Sequence, residues 1–364
     1  MNKINFLKSL DKALGKPLIS LLSIIWAPRR NTLGIARRIL FIRPGGIGDA
    51  TLLLPAIKKL IAKFPETHID VLCEKRNADI FKLAEDVNNL YLYDRGLELL
   101  ACLKNTYDVV IDTEQWHRLS AVIAHLTGAP IRIGFDTNER SKLFTHKIPY
   151  SHEDYEMCSF LNLIEPLIGK NLSLIPDEPF IDTSSVSLSP SILRAITDGE
   201  QFVAIFPGAS VYERRWGGEK FGGVAKALSR KGYRILIHGS EADRQDAEKI
   251  KEIEEDAIDL TGRTSLIDVA VILQRCKLLI TADSGLMHLA YAVGTPTVSF
   301  FGSGIEKKWA PPGRCHIILN KHLPCSPCTK FGYTPRCKIK VECLSLIGVD
   351  EVLAAASHLL QQQK

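Results

Sequence analysis

The chain has 364 residues, which is long enough for two domains of ordinary size, and its 46% hydrophobic and 24% charged content is typical of a soluble globular protein. The net charge of +5 permits an anionic partner such as a nucleotide or a lipid surface, but does not require one. The sequence has no block of basic residues interleaved with aromatic residues, which argues against nucleic-acid recognition, and it has no internal repeat.

The first 38 residues are basic and contain an apolar run from Leu18 to Ala27, shorter than the roughly 20 residues that span a bilayer. No small-residue cleavage site follows Trp26, so a signal peptide is not favoured and the cytoplasm is the default location. We predict a basic helix with an apolar face that lies against an anionic membrane surface. The alternative, a leading helix packed on the first domain, stays open.

The segment "FIRPGGIGDATLLLPA" (41–56) has the glycine pattern of a loop between a strand and a helix. Gly45, Gly46 and Gly48 suggest a phosphate-binding loop, but no Gly-Lys-Ser/Thr sequence follows. Asp49 instead places a carboxylate at the start of the helix, where a phosphate would otherwise bind. The segment therefore carries a lone acid on a glycine-rich loop.

Short β-branched apolar runs alternate with amphipathic helical stretches along the whole chain. Near-continuous apolar strands joined by helices predict parallel sheets covered on both faces, and two such series predict an α/β protein with two Rossmann-like, doubly wound domains. Ligands bind beyond the carboxyl ends of such strands, so two facing domains would share a central cleft. The predicted strands are 39–43, 69–73, 107–112 and 131–135 in the first half, and 202–208, 233–239, 258–262, 278–285 and 296–302 in the second.

Four segments follow from this pattern. They are a basic N-terminal segment (1–38), a first Rossmann-like domain (39–185), a second Rossmann-like domain (186–345) and a closing helix (346–364). The polar stretch 182–191 is predicted to be the linker between the two domains.

The segment "TADSGLMHLAYAVGTPTV" (281–298) predicts a buried strand, a turn, and a helix that begins near Gly285 and ends before Gly294. The backbone N–H groups at the start of this helix favour an anion. They belong to Gly285, Leu286 and Met287. N-capping by Asp283 and Ser284 needs no ligand and is the alternative, although capping and anion binding are compatible.

The loop 206–222 follows another strand and carries Ser210 and two adjacent arginines, Arg214 and Arg215, beside Trp216. A guanidinium group matches the oxygens of a phosphate, so this loop suits a diphosphate. The alternative is a solvent-exposed face with salt bridges.

Two further loops are candidates for the nucleoside. Glu241 or Asp243 could accept hydrogen bonds from ribose hydroxyls, although capping of the next helix explains them equally well. The loop from Arg263 through Thr264 to Leu266 could border a base, next to a predicted capping box of Ser265 and Asp268.

The nine cysteines fall into two groups. Five are scattered and are predicted to be small core residues: Cys73, Cys102, Cys158, Cys276 and Cys315. The other four, Cys325, Cys328, Cys337 and Cys343, begin with the C-x2-C spacing of zinc sites, but five residues separate the second pair. A metal-free, thiol-rich loop is therefore favoured over a zinc site, and disulfides are not expected in a reducing cytosol.

Several segments taken together resemble the heptosyltransferases of glycosyltransferase family 9. They are "RPGGIGDATLLLPAI", "FPGASVYERRW", "LTGRTSLIDVAVILQRCKLLITADSGLMHLAYAVGTPTVSFFG" and the cysteine segment, and the resemblance runs from about Arg38 to Val352. Enzymes of this family transfer a heptose from ADP-heptose to the lipopolysaccharide inner core. The resemblance implies a GT-B fold with the donor in the C-terminal domain, and inversion at the anomeric carbon without a catalytic metal or a cofactor. It also implies a cytoplasmic enzyme at the inner-membrane surface, whose partners are a nucleotide sugar and lipopolysaccharide core or another membrane-anchored glycan, with no nucleic acid.

The resemblance also assigns roles to individual residues. Asp49 matches the family's base and would take the proton of the acceptor hydroxyl, while the glycines of its loop let the acceptor sugar approach. Arg214 stands where the family often has Lys, and with Arg215 and the amides of 285–287 it would compensate the leaving diphosphate. Asp283 to Leu286 and His288 match the motif Asp-Ser/Thr-Gly-Leu-x-His, and Asp243 falls nearest the ribose-binding acid. A core histidine is the alternative for His288.

Three alternatives for the function remain. They are a transferase of the same fold with another nucleotide sugar or acceptor, a nucleotide-sugar epimerase or hydrolase, and a non-catalytic nucleotide-sugar-binding module.

Overall fold

The structure is a computed structural model that describes residues 3–25, 36–169, 178–196, 199–330 and 333–363. The chain forms two compact units, Met1–Ile175 and Pro176–Lys364. Arg29 and Arg30, which contribute to the predicted membrane-binding segment, lie outside the described residues. Among the residues that are described, no helix combines the length and apolar character needed to cross a membrane.

The first unit is built on a parallel sheet of six strands in the order β3-β2-β1-β4-β5-β6. This is the doubly wound order, and its switch point lies between β1 and β4, so the loops after these two strands lie side by side. The elements are α1 (Lys3–Ile25), β1 (Arg38–Arg43), α2 (Ile47–Lys63), β2 (His68–Cys73), α3 (Ala78–Lys82), β3 (Asn89–Leu92), α4 (Gly96–Leu103), β4 (Val109–Asp112), α5 (Leu119–Leu126), β5 (Ile131–Phe135), β6 (His146–Ile148) and α6 (Glu156–Ile168).

The second unit repeats the same topology, with the strand order β12-β11-β10-β7-β8-β9 and the switch point between β7 and β10. Its elements are α7 (Pro190–Ala195), β7 (Phe202–Phe206), α8 (Gly218–Ser229), β8 (Arg234–Ile237), α9 (Arg244–Ile253), β9 (Ile258–Asp259), α10 (Leu266–Arg275), β10 (Cys276–Ala282), α11 (Gly285–Ala292), β11 (Thr297–Phe301), α12 (Glu306–Trp309), β12 (His316–Asn320), α13 (Glu342–Ser345) and α14 (Val349–Gln361).

All nine predicted strands are present, and most begin and end within a few residues of the predicted positions. The central strands β1 and β10 are buried along almost their whole length, because helices cover both faces of each sheet. The predicted closing helix is α14. The predicted domain boundary at residue 185 stays a prediction. The stretch before it packs on the second unit, where the N–H groups of Phe180 and Ile181 both donate to the carbonyl of Ala292.

Helix α1 packs on the first unit. Ile19 is fully buried in a core cluster of that unit, and Asp11 Oδ1 accepts hydrogen bonds from the backbone N–H groups of Arg118 (2.7 Å) and Leu119 (2.8 Å) at the start of α5. Gly15 lies against Arg118, so closely that a Cβ atom there would meet Arg118 Cβ at 2.7 Å. The alternative of a packed leading helix is therefore confirmed for α1, and contact with a membrane stays a prediction.

Candidate active site

Asp49 lies in the first turn of α2, immediately after β1. Gly45 has φ of 103°, a conformation that only glycine adopts without strain, and it turns the chain from the strand into the helix. A Cβ atom at Gly46 would lie 2.7 Å from Asp49 Oδ2, so the carboxylate packs against the bare backbone of the loop. The Asp49 side chain is 21% exposed. The glycine loop thus presents a carboxylate that solvent can reach.

Arg43, the last residue of β1, lies under this carboxylate and is 2% exposed. Its Nη1 atom is 3.8 Å from Asp49 Oδ1 and donates to the carbonyl of Thr113 at 2.8 Å, while Nη2 is 3.2 Å from Glu114 Oε2. Burial alone lowers the pKa of Arg43, but the neighbouring carboxylates, Asp49 first, outweigh this and raise it. Arg43 is therefore a permanent buried cation, and it forms an ion pair of 3.8 Å with the partly exposed Asp49.

Gln115 follows β4 and connects Asp49 to a second acid. Its Nε2 atom is 3.2 Å from Asp49 Oδ1 and 2.5 Å from Glu156 Oε1, and the Tyr150 hydroxyl donates to Glu156 Oε2 at 2.8 Å. Sequence analysis missed Gln115, Glu156 and Tyr150. For Gln115 the available signal was the polar run "DTEQ" (112–115) at the end of β4, which lies beside β1 at the switch point of the sheet.

In the second unit, Asp283 follows β10 and pairs with Arg214, whose Nη1 atom is 3.0 Å from Asp283 Oδ2. The Asp283 side chain is 6% exposed, and burial raises the pKa of its carboxyl, an effect that Arg214 opposes. A Cβ atom at Gly304 would lie 2.0 Å from Asp283 Oδ2, so the loop after β11 closes tightly over this carboxylate. The structure thus brings together two residues that the sequence assigned to the same diphosphate site.

Helix α11 begins at Gly285 and ends at Ala292, and Gly294 follows with φ of 82°, as predicted. The Ser284 side chain does not cap it. Its hydroxyl lies 3.0 Å from the hydroxyl of Thr281 instead. The capping alternative is therefore wrong for Ser284, and no side-chain cap bond occupies the helix start formed by Gly285 to Met287. This arrangement is compatible with an anion at that position.

His288 lies on α11 and is 3% exposed. Burial, with a smaller effect of Arg214, lowers its pKa to about 3, so the ring is neutral near pH 7. The ring lies edge-on to Trp309, with ring centroids 6.1 Å apart. His288 is as buried as a core histidine, but its Nδ1 atom has no hydrogen-bond partner among the described residues, so the alternative of a satisfied core histidine is not confirmed and the ligand role stays a prediction.

Arg215 and Asp243 bind each other rather than an open surface. Arg215 Nη2 is 2.7 Å from Asp243 Oδ1, and Nη1 is 2.9 Å from Asp246 Oδ2. Asp243 Oδ2 accepts from both the backbone N–H and the hydroxyl of Ser240. As placed, both side chains hold the loops after β7 and β8 together, and the diphosphate and ribose roles stay predictions.

The remaining predicted contacts lie on loops at the carboxyl edge of the second sheet. Ser210, Glu241 and Arg263 are exposed, and Thr264 and Leu266 are half-buried at the start of α10. Glu241 pairs with Arg244 at 2.6 Å. A separate capping box is confirmed at α10, where the backbone N–H of Asp268 donates to Ser265 Oγ at 3.1 Å.

All nine cysteines are free thiols. Cys73, Cys102 and Cys276 are buried as predicted, whereas Cys158 is half-buried and the core prediction is wrong for Cys315, which is exposed at the turn before β12. The four C-terminal cysteines line one small cavity of ≈ 20 Å³ together with Glu213. Across the described part of the chain, no three Cys, His, Asp or Glu side chains are placed so that they could hold a metal ion.

Comparison with known proteins identifies a matching family. The profile of glycosyltransferase family 9 (heptosyltransferase) matches residues 97–337.

This chain belongs to glycosyltransferase family 9.

Lipopolysaccharide heptosyltransferase 3 of Escherichia coli is 26% identical over 294 residues, which cover 72% of this chain and 83% of that protein. The structure of E. coli ADP-heptose LPS heptosyltransferase II matches with a TM-score of 0.72 at 21% identity, over 90% of this chain and 99% of that one. The structure of E. coli heptosyltransferase WaaC with ADP-2-deoxy-2-fluoro heptose matches with a TM-score of 0.68 at 17% identity, over 90% of this chain and 100% of that one. The predicted GT-B fold, with two Rossmann-like units, and the glycosyltransferase class are confirmed.

Proposed function

We propose that this family 9 enzyme transfers a heptose from ADP-heptose to the lipopolysaccharide inner core, with inversion at the anomeric carbon and without a catalytic metal. The names of its curated relatives support the substrate class. The observation that carries the proposal is the solvent-accessible carboxylate of Asp49 on its glycine loop. In the other unit, the cation of Arg214 near the start of α11 supplies the complementary anion-binding features.

In the proposed step, the acceptor oxygen forms a bond to the anomeric carbon while the bond from that carbon to the diphosphate oxygen breaks. The electron pair leaves with ADP, and the acceptor proton moves to Asp49. An ordinary aspartate has a pKa of about 3.9, far below that of an alcohol, so the proton moves late, after most of the new bond has formed. The carboxylate also stabilises the positive charge that develops at the anomeric carbon.

The departing diphosphate gains negative charge, and two features of the second unit suit it. The N–H groups at the start of α11 favour an anion. Arg214 Nη1 forms the ion pair with Asp283, while the buried Nε atom of Arg214 has no hydrogen-bond partner among the residues described. We propose Arg214 as the diphosphate contact, with Ser210 and Arg215 at the edge of the site and the exposed Glu241 toward the ribose.

The test is the transfer reaction with ADP-heptose and purified inner-core lipopolysaccharides. Asp49→Asn is expected to lower kcat by about 10² to 10⁴, the usual contribution of a general base, while ADP binding persists. The matched control is Asp256→Asn, because Asp256 is exposed in the second unit. The product is expected to have the opposite anomeric configuration to the donor, and EDTA is expected to leave the rate unchanged.

Near-normal turnover of Asp49→Asn, a retained configuration, or loss of activity with EDTA would each contradict part of the mechanism. Thermal stabilisation by ADP, UDP and GDP separates the alternatives for the donor. A preference for UDP or GDP would indicate another nucleotide sugar, and no response to any of the three would indicate a different role for the fold.

We also propose that the outer face of α1 contacts the membrane that holds the acceptor. Leu14, Leu21, Ile24 and Ile25 are 46%, 55%, 82% and 65% exposed, although the opposite face of the helix packs on the first unit. Because Ile19 is part of the core, deleting this helix would damage the fold, and single substitutions are the better test.

Ile24→Gln and Leu21→Gln are expected to weaken sedimentation of the protein with vesicles that contain anionic lipid. Leu97→Gln is the control, since Leu97 is 85% exposed on α4 of the same unit. Equal binding by all of the variants would refute the membrane contact.

A further inference from the structure

A charged network surrounds the proposed base. Around Asp49 lie the buried cation of Arg43, the carboxylates of Glu114 and Glu156, and the amide of Gln115. Gln115 and Glu114 are 6% and 5% exposed, and Glu156 is fully buried. Burying the carboxylates of Glu114 and Glu156 beside the partly exposed Asp49 is costly unless each is hydrogen-bonded. The arrangement of these bonds therefore indicates what the network does.

The orientation of the Gln115 amide follows from its partners. Arg43 Nη2 lies 3.5 Å from Gln115 Oε1, a distance at the limit of a hydrogen bond, and a guanidinium only donates. The NH2 group must then face the two carboxylates, with Nε2 3.2 Å from Asp49 Oδ1 and 2.5 Å from Glu156 Oε1. One amide thus donates to both acids.

Both carboxylate oxygens of Glu156 accept hydrogen bonds. Its Oε1 accepts from Gln115 and its Oε2 accepts from the Tyr150 hydroxyl at 2.8 Å. Burial, and then the charge of Glu156, raise the pKa of Tyr150, so this hydroxyl stays protonated and remains a donor. The carboxylate of Glu156 therefore lies one amide away from Asp49.

We propose that Gln115, held between Arg43 and Glu156, is a positioning residue that fixes the orientation of the Asp49 carboxylate. This inference rests on the proposed function, in which Asp49 receives the acceptor proton. Arg43 Nη2 lies at the Oε1 end of the Gln115 side chain and Glu156 Oε1 at the Nε2 end, so the amide is held from both sides. Gln115 couples the two acids without adding a charge of its own.

The charged and titratable groups near Asp49 come from several elements. They are Arg43 from β1, Glu114 from the loop after β4, Glu156 from α6 and Tyr150 from the segment before α6. The ion pair of Asp112 and Arg140 and the ring of His117 act on Arg43 and Glu114, and Arg76 lies beside Gly45 of the loop. Because these groups interact, the acid limb of a pH profile belongs to the cluster rather than to Asp49 alone. Substitutions that change the charge of the cluster should therefore move that limb in a direction set by the sign of the change.

The experiment is the pH dependence of kcat/KM from about pH 3.5 to about pH 9, with ADP-heptose and purified inner-core lipopolysaccharide. Gln115→Glu adds a negative charge and is expected to move the acid limb up by about one pH unit. Glu156→Gln removes a negative charge and is expected to move the acid limb to lower pH. Gln115→Met keeps the volume but removes the donor, and is expected to lower kcat about 10-fold with the KM for ADP-heptose unchanged. Gln201→Glu and Gln201→Met, at an exposed position of the second unit, are the controls and should change nothing.

A purely structural role for Gln115 would lower activity equally at every pH. That result, or shifts of the acid limb in the same direction for Gln115→Glu and Glu156→Gln, would overturn the inference. If Gln115→Glu does not fold, the direction of the shift in Glu156→Gln decides. The proposed function fails separately, if the wild-type protein does not transfer heptose or if Asp49→Asn remains active. An active wild type with an inactive Asp49→Asn and unmoved acid limbs would refute the positioning role alone.

Discussion

The ion pair of Arg214 and Asp283 allows stability and catalysis to be tested separately. Arg214→Met keeps most of the side-chain volume but removes the guanidinium that lies 3.0 Å from Asp283 Oδ2. The carboxylate, 6% exposed, is then buried without its cation. We expect a large loss of stability at neutral pH, because the remaining charge has lost its compensation.

The magnitude follows from burial. Breaking a buried ion pair by removing one partner costs about 3–5 kcal/mol. Arg214 is 20% exposed, so solvent screens part of the interaction, and we expect about 2–3 kcal/mol at pH 7.

The penalty should depend on pH. Burial already raises the pKa of Asp283 above its model-peptide value of 3.8, and removing Arg214 raises it further. A carboxyl with a raised pKa binds more protons in the folded state, so its favourable contribution is present at low pH. That contribution is lost as pH rises through the folded-state pKa, at about 1.4 kcal/mol per pH unit. The cost of Arg214→Met should therefore be smaller at pH 5 than at pH 7.

The assay is urea unfolding followed by the fluorescence of Trp216 and Trp309, which both lie in the second unit. The variants are Arg214→Met, Asp283→Asn and the double substitution, with Arg230→Met at an exposed position as the control. The double variant should recover most of the lost stability but not the transfer activity, because the diphosphate still lacks its cation. A penalty that is equal at both pH values, or a double variant no more stable than Arg214→Met, would refute the reasoning.

Three further predictions concern stability. Asp11→Ala removes the acceptor for two N–H groups at the start of α5 and should lower the free energy of unfolding in urea by about 1–2 kcal/mol. No change would mean that α1 is only loosely attached. Gly134→Ala would place a Cβ atom 2.3 Å from the Phe144 ring and should lower the free energy of unfolding by about 1–3 kcal/mol. Gly96→Ala, where a Cβ would have no atom in reach, should be nearly neutral. Equal effects of the two substitutions would contradict this packing. Burial lowers the pKa of His238 to about 4, so the folded state binds fewer protons than the unfolded state. Stability is therefore lost as pH falls from 6.5 toward 4. His238→Leu should reduce the dependence of stability on pH between about pH 7 and about pH 5, and an unchanged dependence would show that other groups cause it.

The strands that the sequence missed show where local pattern is insufficient. β3, β6 and β12 all lie at the edge of a sheet and are only partly buried along their length. A strand that is covered on all sides needs a continuous apolar run, and such a run is visible in a sequence. An edge strand has no such requirement, so its residues often do not stand out from those of a loop, although the edge strand β9 was predicted.

The sequence by itself determined the two series of strands and helices and the acids that follow the central strands, such as Asp49 after β1 and Asp283 after β10. It could do so because apolar periodicity, glycine turns and helix starts depend on neighbours within a few residues. Only the tertiary structure decided which polar groups meet. Gln115 reaches Asp49 across 66 residues because β1 and β4 are adjacent in the sheet, and Arg215 meets Asp243 because β7 and β8 are. The order of strands sets these distances, since the energy of burying each polar group depends on partners that are far away in the chain.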